Sequence, residues 1–285
     1  MSIVMVPGVA KRLEGDLSLH RTLFTPLRQG LARAGVGIGP EDVVVVSYGK
    51  TFRPKDEMLS PQPYYDADDV EPGFEQDLLR ALWERAADVD EKVVAPEAET
   101  LFRSPAWVQR ALYALTMSAF WSGVGEQAFI SFLKQVRRYF TDDDVRSAAR
   151  AALAGAVNED TRVIVAHSFG SVVAYESLCA HPEWPVETLV TLGSPLALRH
   201  IVYNRLRPPP APKARWPGSV ESWTNVTDAG DVIAVVEDVR PFFSDRITQI
   251  RLDTGGAKAN DMRSYLTDEA TGRAIAAGLG GGGTE

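Results

Sequence analysis

Short apolar runs rich in β-branched residues alternate along the chain with segments in which apolar residues recur every three to four positions. The first pattern predicts buried strands and the second predicts amphipathic helices. Predicted strands lie at about residues 2–6, 42–47, 162–166, 187–192, 221–226 and 247–252. Predicted helices lie at about residues 20–34, 74–88, 105–121, 125–140, 142–156, 169–180 and 261–278. This alternation predicts the α/β class, with a mostly parallel central sheet flanked by helices.

A long insertion, at about residues 50–140, separates the second and third predicted strands. Its first part is rich in Pro, Asp and Tyr and predicts a loop, whereas the remainder predicts helices. The last two of these helices are unusually aromatic, so they either pack in the core or form a cap over an apolar pocket. We expect residues 1–278 to form one domain and the Gly-rich residues 279–285 to be a disordered tail.

Composition and charge exclude several classes of function. The formal net charge is −8 and no Lys/Arg cluster is present, so we expect no nucleic-acid partner. The longest uncharged stretch, residues 111–125, is too short for a membrane span, and the first residues lack a signal-peptide pattern. We therefore expect no membrane span and a cytoplasmic location. Cys179 is the only cysteine and no two histidines have the spacing of a helical metal site, so we expect neither a metal nor another cofactor.

A candidate nucleophile lies where the third predicted strand turns into a helix, in the segment Ala166-His167-Ser168-Phe169-Gly170. This strand–turn–helix context is the one that a nucleophile elbow requires, with the serine hydroxyl raised above the sheet. The small residues two positions before and after the serine avoid clashes in such a turn. The same turn would aim the Phe169 N–H at an oxyanion forming beside Ser168.

With this elbow, and with the turn Gly193-Ser194-Pro195 after the next strand, the chain resembles the lipase/esterase-like branch of the α/β hydrolases over most of its length. The resemblance implies an α/β-hydrolase fold and a serine ester hydrolase that acts on an apolar acyl ester or a lipid-like small molecule. It also implies that the turn after the first strand supplies a second oxyanion N–H. That donor is expected to be Val9, with Ala10 as the alternative.

The resemblance further implies an acid after a later strand and a histidine after the last one. Asp231, which precedes a Val-Ile pair, fits the acid position, with Asp228 in reserve. The histidine is expected in an Ala-His-Asp pattern followed by Tyr-Leu, where this chain has Asn260. No histidine follows His200, which could substitute as the base only from an unusual topological position. His167 is expected to point away from the serine hydroxyl.

The consequence of Asn260 is chemical. Asparagine cannot take a proton near neutral pH, and serine is a poor nucleophile without an adjacent base. Three interpretations stay open: an inactivated form of a hydrolase, a catalytically dead protein that binds a ligand or a partner, and an enzyme with a different base. A hydrolase of thioesters or of C–C bonds would share the same machinery.

Overall fold

The centre of the protein is an open sheet of six parallel strands. The structure, a computed structural model, describes residues 1–9, 16–52, 64–96, 106–121, 124–255 and 259–280. Within these residues the strands are β1 (Ser2–Val6), β2 (Val43–Val45), β3 (Thr161–His167), β4 (Thr188–Leu192), β5 (Ser222–Asp228) and β6 (Thr248–Leu252). Their order across the sheet is β2-β1-β3-β4-β5-β6, and every neighbouring pair is parallel. The six predicted strands and the α/β class are therefore confirmed.

Eight α-helices accompany the sheet in the described part of the chain. They are α1 (Asp16–Arg33), α2 (Phe74–Val89), α3 (Trp107–Met117), α4 (Glu126–Thr141), α5 (Asp143–Ala154), α6 (Gly170–Ala180), α7 (Met262–Thr267) and α8 (Glu269–Ala277). The prediction of one helix over residues 261–278 is wrong. Asp268 has an extended backbone there, and its carboxylate accepts hydrogen bonds from the N–H groups of Ala270 and Thr271, so it caps α8 and ends the continuity with α7.

Each face of the sheet is covered by its own hydrophobic core. Along β1, Ile3 and Met5 point to the core that contains α1, α7 and α8, whereas Val4 and Val6 point to the core that contains α6 and the insertion. This division follows from the alternation of side chains along a strand. Because both of its faces are buried, β1 is almost entirely apolar, whereas the edge strand β6 is partly exposed and mixes polar and apolar residues.

The insertion contributes α2, α3 and α4 to the larger of the two cores. Phe129 and Phe132 of α4 are buried, and the Trp121 ring packs edge-on against Phe129 with the ring centroids 4.5 Å apart. Most of the aromatic rings of the insertion thus pack in the core, whereas the Tyr113 side chain is 66% exposed. Core packing is the first of the two roles that the sequence left open for these rings.

None of the described helices is both long and apolar enough to cross a membrane. Residues 279 and 280 form a turn after α8, and the remainder of the predicted tail lies outside the described residues. Ala10, the alternative oxyanion donor, and residues 53–63 of the predicted loop also lie outside them.

Candidate active site

Ser168 occupies a sharp bend between β3 and α6. Its φ of 51° lies in the left-handed region, and it is the one residue other than glycine with a positive φ in the described part of the chain. For a residue with a side chain this conformation costs roughly 1–2 kcal/mol. The bend is held by the Ser168 N–H, which donates to the Leu192 carbonyl at 2.8 Å, and by the Ser168 carbonyl, which accepts from the Ser171 N–H at 3.0 Å. This is the backbone geometry that the elbow prediction requires.

The turn after β1 lies directly against this bend. A Cβ atom placed on Gly170 would be 2.2 Å from the Val6 carbonyl oxygen and 2.6 Å from that of Pro7, so only glycine fits there. A Cβ atom on Gly8 would be 3.4 Å from the Ser168 hydroxyl oxygen. Val9, which follows Gly8, is buried. The predicted oxyanion turn and the serine are therefore neighbours.

Tyr48 holds the same turn from the other side. Its hydroxyl donates to the Pro7 carbonyl at 2.6 Å, and the side chain is buried. Burial raises the pKa of Tyr48 well above its ordinary value, so the hydroxyl stays protonated and remains a donor. Sequence reasoning missed this residue. The available signal was the pairing of β1 with β2, because residues that follow neighbouring parallel strands meet at one edge of the sheet.

Phe169, the predicted oxyanion donor on the elbow, is supported by the insertion. Its buried ring packs edge-on against Tyr139 and Phe140 at the end of α4, with centroid distances of 5.1 and 5.7 Å. The backbone of Phe169 precedes the first turn of α6, where helix N–H groups point outward without helical partners. The insertion thus stabilises the residue whose N–H stands beside Ser168.

Asp231 and Asn260 are hydrogen-bonded to each other. The Asn260 side-chain amide donates to both carboxylate oxygens of Asp231, at 3.0 and 3.1 Å. The Tyr265 hydroxyl donates to Asp231 Oδ2 at 2.7 Å, and the N–H groups of Ile233 and Ala234 donate to Oδ1 at 2.8 and 3.3 Å. A carboxylate only accepts hydrogen bonds, so the Asn260 NH₂ group faces Asp231 and its carbonyl oxygen faces the other way.

Gly193, at the end of β4, lies between the Asp231–Asn260 pair and the strand residue that contacts Ser168. A Cβ atom there would be 2.3 Å from Asp231 Oδ2, 3.1 Å from the Tyr265 hydroxyl oxygen and 3.4 Å from Asn260 Nδ2. The preceding residue, Leu192, accepts the Ser168 N–H. The predicted nucleophile, the predicted acid and the residue in the histidine position are therefore collected at the end of one strand.

Asp228, the reserve candidate for the acid, has a different set of contacts. Its carboxylate accepts from the N–H groups of Gly230 at 2.9 Å and Thr254 at 2.8 Å, so it caps the loops after β5 and β6. Its own N–H donates to the Tyr265 hydroxyl oxygen at 2.9 Å. Asp231 is the carboxylate that contacts Asn260, and Asp228 helps to hold Tyr265 in place.

The two histidines considered in the sequence lie in different places. A Cβ atom on Gly8, which would be 3.4 Å from the Ser168 hydroxyl oxygen, would also be 3.7 Å from His167 Nδ1, so His167 lies beside the same turn as the serine. His167 is buried at the end of β3, and its ring centroid is 6.0 Å from that of Tyr265 on α7. His200 is exposed and lines a cleft of about 630 Å³ between α2 and the loop after β4. In the described part of the chain, no cluster of three or more His, Cys, Asp or Glu side chains could hold a metal ion.

Burial dominates the protonation of Asp231. It raises the pKa of Asp231 to about 6, although the hydrogen bonds from Tyr265, Asn260, Ile233 and Ala234 act in the opposite direction. The unfolded carboxyl has its ordinary pKa of about 3.9. The folded chain therefore keeps a proton on Asp231 to higher pH than the unfolded chain does. This proton stabilises the fold at low pH, and its contribution is lost as the pH rises through about 6.

This difference predicts a pH dependence that Asp231→Asn should remove. We expect the free energy of unfolding of the parent chain, relative to that of the variant, to fall by on the order of 3 kcal/mol between about pH 4 and pH 7. Urea unfolding of both proteins at a series of pH values measures this difference. A difference that stays flat or grows with pH would contradict the burial of an ionisable Asp231.

No protein-family model matches the chain, and no curated protein matches it either. The functional interpretation therefore depends on the geometry at the carboxyl edge of the sheet.

Proposed function

We propose that the chain has an α/β-hydrolase fold and is a serine hydrolase of the lipase/esterase type, in which Ser168 attacks the carbonyl carbon of an acyl ester. One observation carries the proposal. Ser168 stands at a strained, positive-φ bend between the turn after β1 and the end of β4, where the Asp231–Asn260 pair lies. Strain of this kind is concentrated at functional sites.

Each group has a distinct role in this mechanism. The Ser168 hydroxyl oxygen forms the new bond to the acyl carbon, and the N–H groups of Val9 and Phe169 stabilise the resulting oxyanion. Collapse of the oxyanion breaks the ester C–O bond and releases the alcohol, and attack of water on the acyl-serine then releases the acid and restores the serine hydroxyl. Asp231 orients the side chain at position 260. Asn260 cannot take the serine proton, so in this mechanism the proton passes to solvent. We therefore expect the chain to retain only the part of catalysis that binding and the oxyanion donors supply, about 10³–10⁴-fold over water.

An apolar acyl group is the substrate class that we infer. The residues that follow β1, β3 and β4 at this edge include Val9, Phe169 and Leu196, all buried and without polar side-chain atoms. Such surroundings favour hydrocarbon over a charged group. A thioester would use the same nucleophile and oxyanion donors.

A second candidate function is a catalytically dead module that binds a ligand or a partner. The observation that favours it is the complete hydrogen bonding of Asp231, which Asn260, Tyr265 and two backbone N–H groups satisfy without a histidine. A site with this arrangement keeps its shape but lacks a base.

Covalent labelling with a fluorophosphonate tests the proposal directly. We expect slow labelling of the parent chain, located at Ser168 by mass spectrometry of peptides, and none at that peptide in Ser168→Ala. p-Nitrophenyl esters of increasing acyl length report the preference for apolar acyl groups. Modification elsewhere, or no modification even after a histidine is introduced at position 260, would favour the binding module.

A further inference from the structure

An arginine of the insertion forms hydrogen bonds to the loop that contains Asp231. Arg85, on α2, donates from Nε to the Asp231 carbonyl at 3.3 Å and from Nη2 to the Ala229 carbonyl at 3.3 Å. Its Nη2 also forms an ion pair with Glu237 Oε1 at 2.6 Å. One guanidinium thus contacts both ends of residues 229–237, the segment in which Asp231 lies.

The far end of this segment is itself held by the sheet. The second carboxylate oxygen of Glu237 pairs with Arg251 of β6 at 2.8 Å, and the Glu237 carbonyl accepts from the Asn225 side chain of β5 at 3.2 Å. The Arg85 side chain is only 14% exposed and that of Glu237 27%. Partial burial strengthens such a pair relative to one in open solvent. Arg85 therefore pairs with a glutamate that contacts with β5 and β6 hold in place.

The acid is consequently held by two independent sets of contacts. Asn260, Tyr265 and the N–H groups of Ile233 and Ala234 hold its carboxylate, and Arg85 contacts its backbone carbonyl. The segment around Asp231 contains neither helix nor strand, so no regular backbone ladder sets its position. The Asp231 N–H donates to the Asp228 carbonyl at 3.0 Å, and Arg85 adds a side-chain contact to the Asp231 carbonyl, so Arg85 contributes to the position of this backbone.

We propose that Arg85 is a positioning residue for the acid, through which the helical insertion sets the efficiency of the site. This inference rests on the proposed function. Arg85 acts through Asp231, and Asp231 acts only by orienting a base at position 260. Loss of Arg85 should therefore matter strongly when residue 260 is a histidine and weakly when it is an asparagine.

A double-mutant cycle tests this dependence. Arg85→Met is made in the parent chain and in Asn260→His, and the second-order rate constant for fluorophosphonate labelling of Ser168 is measured in all four proteins. We expect Arg85→Met to lower the rate by about 10-fold or more in the Asn260→His background, as outer supporting groups of a site commonly do. In the parent chain we expect a loss of less than about 3-fold, because that chain has no base for Asp231 to orient.

The same helix offers a matched control. Arg80 forms an exposed pair with Glu84, with side-chain exposures of 41% and 46%, so Arg80→Met removes a charge from α2 and leaves the contacts of Arg85 in place. We expect this variant to change labelling by less than about 2-fold in either background, as surface pairs contribute little. Arg85→Lys keeps the charge beside Glu237 but cannot span both carbonyls, and it should give an intermediate loss.

The outcomes separate the two proposals. Equal losses from Arg85→Met in both backgrounds would indicate a general effect on folding and overturn the role of Arg85, while the hydrolase proposal stands. If Arg85→Met raises KM for ester hydrolysis in the Asn260→His background and leaves kcat unchanged, the role of Arg85 as a positioning residue is also overturned. No gain from Asn260→His would mean that residue 260 is not the position of the base and would overturn the role of Arg85, whereas the hydrolase proposal is overturned only if Ser168 is labelled in neither background. If Arg85→Met does not fold, Arg85→Lys carries the same comparison, and equal losses in its two backgrounds have the same meaning.

Discussion

Asn260→His is expected to raise the rate of ester hydrolysis by about 10²–10⁴-fold, the usual contribution of a general base. The Asn260 Nδ2 atom that now donates to Asp231 lies at the same number of bonds from the backbone as Nδ1 of a histidine. An imidazole placed there would donate from Nδ1 to Asp231 and extend its second nitrogen away from the carboxylate. That nitrogen can accept the Ser168 proton, which the asparagine carbonyl cannot.

The pH dependence and the matched variants identify the cause of such a gain. kcat/KM for p-nitrophenyl esters should rise with pH through about 6.5 in Asn260→His, as the imidazole loses its proton, and the parent chain should lack this limb. Asn260→Gln supplies an amide without a base and should give no gain. Ser168→Ala in the histidine background should abolish the gained activity. An unchanged rate in Asn260→His would mean that residue 260 is not the position of the base.

Arg146→Met is expected to destabilise the fold by about 3–5 kcal/mol, the usual cost of leaving one partner of a buried ion pair alone. Arg146, on α5, forms a two-pronged ion pair with Glu176 on α6, and both side chains are buried. Glu176 also accepts hydrogen bonds from the Tyr139 hydroxyl at 2.8 Å and the Arg207 N–H at 3.0 Å. Neither of these neutral donors compensates a buried carboxylate once the guanidinium is removed.

Equilibrium unfolding in urea measures this loss, and an exposed pair provides the control. Arg273 on α8 pairs with Glu269 at the surface, so Arg273→Met should cost less than about 1 kcal/mol. The double variant Arg146→Met with Glu176→Leu removes both charges and should recover much of the stability lost in the single variant. A cost for Arg146→Met as small as that of Arg273→Met would show that the pair contributes no more than a surface contact.

The Arg146–Glu176 ion pair also contacts residues that support the candidate site. The Arg146 guanidinium lies over the rings of Tyr139 and Phe140, and those rings pack on Phe169. The insertion therefore reaches the elbow through aromatic contacts and the acid through Arg85. The ion pair of α5 and α6 and the elbow thus contact the same two rings of α4.

The local pattern of apolar and polar residues was sufficient to predict most of the secondary structure. β1 and β2 are short apolar runs, and β5 and β6 are short stretches of mixed polar and apolar residues bounded by turns; neither pattern has helical periodicity. The exception was the stretch after residue 261, where apolar spacing continues through Asp268 but the carboxylate of that residue satisfies the next N–H groups and begins a new helix. Competition between a side chain and the helix backbone is not visible in apolar periodicity.

The sequence by itself determined the α/β class, the position of the strained serine turn and the absence of a histidine after His200, because each depends on neighbouring residues or on residue identity. Only the tertiary structure decided which groups support the site. Tyr48 meets Pro7 across 41 residues, Tyr265 meets Asp231 across 34, and Arg85 meets Asp231 across 146. Such contacts form when separate strands end at one edge of a sheet, and no local pattern in the chain specifies them.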